Sequence, residues 1–255
     1  MRIVTTTCSN TELVCALGHA DWLVGVDDHS DYPPRVVAGL PRVGPDLGVD
    51  PARIAALRPD LVLASLTVPG HEQVVASLRD AGLPVIATEP TSLADVYADL
   101  RLVAGELGCA ERGARLAREM AAAMPQRTPS RKRKLLVQWW PKPVIAAGQL
   151  SWVQQLIELA GAANALGHRA VKSEPLDDAA VAALDPDAII IAWCGVKPEK
   201  YRPEVIYRNP AFAGMRALRQ RCVYCIAEGH LGRPSPRLID GYRDLCRVLD
   251  EIGEN

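Results

Sequence analysis

The segment Ile54–Ser65, IAALRPDLVLAS, returns in the second half of the chain at Val181–Trp193 as VAALDPDAIIIAW. Each copy opens with helix formers and then breaks at Pro-Asp, because proline cannot extend a helix through its missing N–H. Each closes in an unbroken aliphatic run. That run is too short for a free-standing helix and apolar on both faces, as expected of a strand buried inside a parallel sheet. The same helix, turn and strand unit in each half implies two lobes of one architecture.

Short apolar runs alternate with helical stretches on either side of these copies. In the first half, strands are expected at Arg2–Thr6, Trp22–Val26, Leu61–Ala64 and Val85–Ala87. Helices are expected at Asn10–Leu17, Pro51–Leu57 and His71–Ala81, with Ser9 and Glu12 at capping-box spacing for the first. A region rich in Ala, Leu, Glu and Arg follows over 93–123, with Gly108 and Gly113 marking a break near Cys109. The pattern then restarts, with strands at Lys134–Gln138, Ala188–Ala192 and Cys222–Ile226, and helices at Trp152–Ala160 and Pro236–Ile252. The order implies an α/β protein of two Rossmann-like lobes with mainly parallel sheets, joined by one long helix, with a ligand cleft between the lobes. The boundaries expected are 1–108 for the first lobe, 109–130 for the linker helix and 131–255 for the second.

Composition narrows the function. The chain has 255 residues, 49% hydrophobic and 23% charged, with a formal net charge of −1, so a nucleic-acid partner is not expected. No apolar run reaches the roughly 18 residues of a membrane span. Seven scattered cysteines do not read as a disulfide framework, and Cys222 and Cys225 face opposite sides of a strand. With a first strand starting at Ile3 and no leader ahead of it, these features point to the cytoplasm, or to the periplasm or cell surface if a leader has been removed.

Ligands of open parallel sheets bind beyond the carboxyl ends of the strands. That rule selects Cys8 and Ser9, Asp28 and His29, and Ser65 and Thr67 in the first half. In the second half it selects Trp139 and Trp140, Trp193 and Cys194, and Glu228 and His230. Adjacent tryptophans on a strand point opposite ways, so one of Trp139 and Trp140 belongs in the core, whereas Trp193 leads into a polar turn and is expected to be exposed. His29 and His230 could donate to a ligand or bind a metal centre carried by it. A bare metal-ion site is not expected, since no HxxxH spacing exists. His71 opens a helix and reads as a capping or solvent residue.

Five segments, in order, resemble the cobalamin-binding branch of the helical-hinge substrate-binding proteins of ABC importers. They are RIVTTTCSNTELVCALG at Arg2–Gly18, VGVDDHSDYPP at Val24–Pro34, LPRVG at Leu40–Gly44, DPARIAALRPDLVLA at Asp50–Ala64 and GRPSPRLIDGYRDLC at Gly232–Cys246. The resemblance implies a non-enzymatic, monomeric clamp for a cobalamin-like corrinoid or a related metal chelate. Such a chelate is cargo; no intrinsic cofactor is implied. It adds Asp46 to the candidate ligand-binding residues. Iron-siderophore or haem binding is the nearest alternative, and a tetrapyrrole metal chelatase is the enzymatic one. Family members that dock on a permease carry a glutamate on each lobe, and the matching positions here are Ala52 and Ala179. Docking is thereby put in doubt, with Asp50 and Asp178 as neighbouring carboxylates and an intracellular carrier or sensor as the other role.

Overall fold

The computed structural model describes residues 1–253 and divides the chain into two compact units, Met1–Pro90 with Ala94–Arg118, and Thr91–Leu93 with Glu119 onward. The first unit contains β1 (Ile3–Thr5), α1 (Cys8–Ala16), β2 (Leu23–Val26), α2 (Pro34–Val37), α3 (Pro51–Ala56), β3 (Leu61–Ser65), α4 (His71–Asp80) and β4 (Val85–Thr88). α5 (Leu93–Glu106) and α6 (Ala110–Ala123) follow. The second unit contains β5 (Lys134–Pro141), β6 (Val144–Ala147), α7 (Trp152–Leu159), β7 (Ala163–Asn164), β8 (Ser173–Leu176), α8 (Asp178–Leu184) and β9 (Ala188–Ile191). It ends with α9 (Glu204–Tyr207), α10 (Arg216–Arg219), β10 (Val223–Cys225), α11 (Glu228–Leu231) and α12 (Leu238–Gly253).

The first sheet runs β2-β1-β3-β4 and every pairing in it is parallel. β1 and β3 lie inside it, and all their residues are buried, as their unbroken aliphatic runs require. Val4, Val62, Ile54, Val74 and Leu78 pack together beneath the sheet. The second sheet runs β10-β9-β5-β6-β8. Its β10-β9-β5 part is parallel, whereas β6 pairs antiparallel with both β5 and β8. This sheet is therefore mixed, which corrects the expectation of mainly parallel strands in the second half. β5 runs on through Trp139 and Trp140 into a tight return, which the residue pattern after Gln138 did not announce. β8 contains Pro175, and it tolerates a proline because it is an edge strand.

The duplicated motif has a shared physical job. In the first unit Asp60 donates its N–H to Arg2 O at 2.8 Å, while its carboxylate accepts the Arg2 N–H at 2.6 Å. In the second unit Asp187 does the same to Lys134, at 2.8 and 2.7 Å. Each Pro-Asp turn thus clamps the amino-terminal end of the first strand of its own sheet. Entry to each turn needs a positive φ at the preceding position, +50° at Arg58 and +37° at Asp185. Asp187 is also buried and bridged by Arg216 at 2.7 Å. Burial pushes its carboxyl up, but the Lys134 N–H and the guanidinium of Arg216 outweigh that and hold it below the ordinary range.

Two local expectations are corrected. The helix at the start of the chain begins at Cys8, with Thr7 in the capping position and no side-chain cap, so Ser9 lies inside the first turn. Ser9 and Thr7 share a hydroxyl contact at 3.3 Å instead. Gly113 is not a helix break. It lies within α6, where an added Cβ would come within 2.3 Å of Ala104 on α5, so its role is close helix approach. The break itself falls at Leu107–Cys109, with Gly108 at φ +68°.

Candidate functional site

The candidate residues of the first unit gather on the carboxyl side of β1, β2 and β3, around a buried carboxylate. Asp27 is fully buried just past β2. Its Oδ1 accepts from Ser30 Oγ at 2.5 Å, and its Oδ2 accepts the His29 N–H at 2.9 Å and faces Cys8 Sγ at 3.7 Å. Ser30 continues to Thr11 at 2.7 Å and Thr11 to Thr5 at 2.6 Å, a hydroxyl chain running back to β1. Arg42 donates to the carbonyls of Asp27 and Ser30 at 2.8 and 2.7 Å and so fixes the loop. Burial pushes the Asp27 carboxyl up, against the pull of Ser30 and the His29 N–H. Sequence reasoning passed over Asp27 in favour of Asp28, which is exposed. Strand alternation past Val26 was the signal that could have found it.

Asp46 lies between two histidines. Its Oδ2 is 3.5 Å from His71 Nε2 and its Oδ1 is 3.9 Å from His29 Nε2. His71 is buried, which corrects its reading as a capping or solvent residue; His29 is half exposed. His71 Nδ1 accepts the Val68 N–H at 3.3 Å, so its ring proton resides on Nε2, on the side of Asp46, where the 3.5 Å separation makes a contact and not a formed hydrogen bond. The contact with His71 holds the Asp46 carboxyl below its ordinary range despite partial burial. Three large exposed apolar side chains, Tyr32, Leu47 and Val68, lie within three residues of His29, Asp46 and His71 along the chain. Ser65 is buried and bonded to Thr7 and Asn10 at 3.2 Å each, Ser9 is buried, and Cys8 and Thr67 are half-buried.

In the second unit the tryptophans are arranged differently from expectation. Trp193 is buried, not exposed. Its indole N–H donates to Gln138 Oε1 at 3.0 Å, and Tyr201 packs edge-on at 5.7 Å between ring centres. Tyr201, beyond the polar turn, packs on the ring, so Trp193 belongs to the core with Ile191, Phe212 and Met215. Neither of the adjacent tryptophans joins that core: Trp139 is half-buried and Trp140 is 41% exposed. Cys194 is exposed. Glu228 accepts from Arg233 Nε at 3.1 Å in a half-buried pair. His230 Nδ1 is 2.8 Å from Asp244 Oδ2, a partner that sequence reasoning did not find. Among the described residues no group of three or more His, Cys, Asp or Glu is arranged to hold a metal ion, and no helix is long and apolar enough to cross a membrane.

Two α/β units, each with polar side chains and apolar rims beyond its strand ends, define a binding scaffold. The chain belongs to the periplasmic binding protein family, whose profile matches residues 3–228, and its work is binding without catalysis. It is 28% identical to the uncharacterized ABC transporter substrate-binding lipoprotein YvrC of Bacillus subtilis, over 97% of this chain and 79% of that one. It is also 28% identical to the vitamin B12-binding protein of Salmonella choleraesuis, over 98% of this chain and 91% of that one. Among solved structures, the apo form of the periplasmic heme-binding protein RhuT from Roseiflexus sp. RS-1 is 30% identical and superposes with a TM-score of 0.84, covering 98% of each chain.

These relatives correct the cytoplasmic expectation. The family is periplasmic and the Bacillus relative is a lipoprotein, which points outside the cytoplasmic membrane, and the intracellular carrier or sensor role falls with it. Scattered cysteines do not fix the compartment, because small thiols packed as apolar groups are compatible with either. Cys222 is buried, and burial beside Glu12 pushes the Cys15 thiol up to about 11.

Proposed function

We propose that this protein captures a metal-bearing tetrapyrrole, a cobalamin-like corrinoid or haem, outside the cytoplasmic membrane and delivers it to an ABC importer. The observation that carries the reading is end-to-end kinship with vitamin B12-binding and heme-binding proteins, at 28–30% identity over 98% of the chain. The chemistry of the strand-end residues supports it. Tyr32, Leu47 and Val68 in the first unit are exposed apolar surface of the kind that a large, flat, poorly soluble ring would cover, and Trp140 is exposed in the second. Cys8, Asp28, His29, Asp46 and Thr67 in the first unit, and Trp139, Cys194, Glu228 and His230 in the second, supply polar and aromatic groups for its edge and metal. Ser9 and Ser65 are buried, and they hold the first-unit loops in shape.

Docking would use surfaces around Ala52 and Ala179. Asp50 is committed to its own helix, where its carboxylate accepts the Ala52 and Arg53 N–H groups at 2.9 and 3.2 Å. The equivalent cap in the second unit is Asp177, which accepts from Ala180 at 2.7 Å, and Asp178 is exposed beside it. A permease partner that does not rely on the glutamate on each lobe of the wider family fits these positions.

Titration of the purified protein with aquocobalamin and, separately, ferric haem tests the reading. Quenching of tryptophan fluorescence through Trp139 and Trp140, with visible-band changes saturating at about micromolar ligand or below, is expected. No response to either ligand at tens of micromolar, roughly −6 kcal/mol of binding, rejects it.

A further inference from the structure

Resting on that reading, we infer that His230 is a metal ligand built into the second unit, and that Asp244 is its positioning residue. Together they would bind the exchangeable axial position of a tetrapyrrole-bound metal.

The hydrogen-bond network decides which ring nitrogen is available. Asp244 accepts a guanidinium N–H of Arg247 on one oxygen, and its other oxygen lies 2.8 Å from His230 Nδ1. A carboxylate paired to a guanidinium can only accept, so Nδ1 carries the ring proton and Nε2 keeps its lone pair. Nε2 has no protein partner among the described residues, yet it is not among the buried unpartnered atoms, so it reaches solvent. A basic Nε2 backed by an Nδ1–H···carboxylate bond is the arrangement that orients a ligating imidazole and raises its donor strength.

The mount is also rigid. His230 lies in α11, directly after β10, and the Leu231 carbonyl accepts the Trp152 indole N–H at 2.7 Å. α12 presses on the same turn through Gly241, where an added Cβ would meet the His230 carbonyl oxygen at 2.0 Å. Asp244 stands three residues further along that helix. The helix that fixes the backbone of His230 therefore also supplies its carboxylate. The first-unit imidazoles do not share this geometry. His71 directs its ring proton at Asp46 and keeps its Nδ1 on a backbone N–H, and His29 is exposed with its carboxylate 3.9 Å away.

The experiment uses the whole protein with three probes: ferric haem, aquocobalamin, and cyanocobalamin, whose upper axial position is already filled by cyanide. Wild type should give the visible and electron paramagnetic signature of a nitrogen donor with haem, or the band shift of replaced water with aquocobalamin, and no such shift with cyanocobalamin. Whichever probe responds identifies the chelate. H230A should abolish the signature, weaken binding at least tenfold, and recover the signature with free imidazole. D244N keeps an acceptor for the Nδ1–H but removes the charge. It should leave affinity within a few fold while lowering the iron–histidine stretching frequency of the ferrous haem complex. If wild type and H230A bind with identical spectra, the ligand assignment is overturned and the binding reading stands. An unchanged stretch in D244N overturns the role of Asp244. If wild type binds none of the probes, both fall.

Discussion

His71 and His230 each stand beside an aspartate, yet the two pairs face opposite ways. In the first unit the backbone N–H of Val68 occupies Nδ1 and turns the ring proton of a buried imidazole toward Asp46. In the second unit the aspartate occupies Nδ1 and leaves Nε2 facing solvent. The difference teaches that proximity of histidine and carboxylate says little until the partner of the second nitrogen is known. One pair is organised to hold a carboxylate in place, the other to offer an electron pair.

The comparison is broken most forcefully at Gly241. G241A drives a methyl group into the His230 carbonyl, so the helix or the turn must shift; a loss of about 3 kcal/mol is expected, read by urea unfolding, together with a distorted donor signature. H71A should come next. It removes a buried ring and the contact that lowers the Asp46 carboxyl, at a cost of about 2 kcal/mol, while leaving the donor signature intact. A result in which H71A erases that signature would reverse the assignment of the two histidines.

Acid titration of stability sharpens the contrast further. Asp46 is held below its ordinary range, so its contribution is present above the unfolded value near 3.8 and is lost as pH falls through the folded one. Asp27 is pushed the other way, so it costs stability above its raised folded value and that cost disappears as pH falls toward 3.8. H71Q should therefore flatten the acid limb of the melting-temperature profile, and D27N should raise the neutral end relative to the acid end. The smallest effect belongs to R247A. Its guanidinium is 65% exposed, so its bond to Asp244 should contribute no more than about 0.5 kcal/mol to stability, measured by thermal melting.

Much of the architecture was legible because the Pro-Asp turn is a strong local signal and sits at the same place in both halves. The antiparallel return through β6 and β8 was not, because Val144–Ala147 is short and Pro175 argues against a strand unless its edge position is known. Strand-end reasoning placed His29 and His230 just past β2 and β10, and the structure has them there. It misplaced Trp193, since the residues that cover it, Gln138 and Tyr201, come from another strand and a later turn. It missed Asp27, whose inward direction depends on one residue of register. It could not reach Asp244, which meets His230 only because Gly241 lets α12 lie against the turn. The Asp244–Arg247 spacing of three on a helix was visible, but nothing in a linear string says which imidazole such a pair will face.

The two aspartate clamps, Asp60 on Arg2 and Asp187 on Lys134, secure the starts of β1 and β5, while the candidate contacts lie at or beyond the carboxyl ends of the strands. Anchorage and the proposed recognition thus sit at opposite rims of each sheet. Natural variation can rewrite the loops at one rim to suit a new cargo without loosening the foundations at the other. A lineage can in this way keep one chassis through many changes of what it carries.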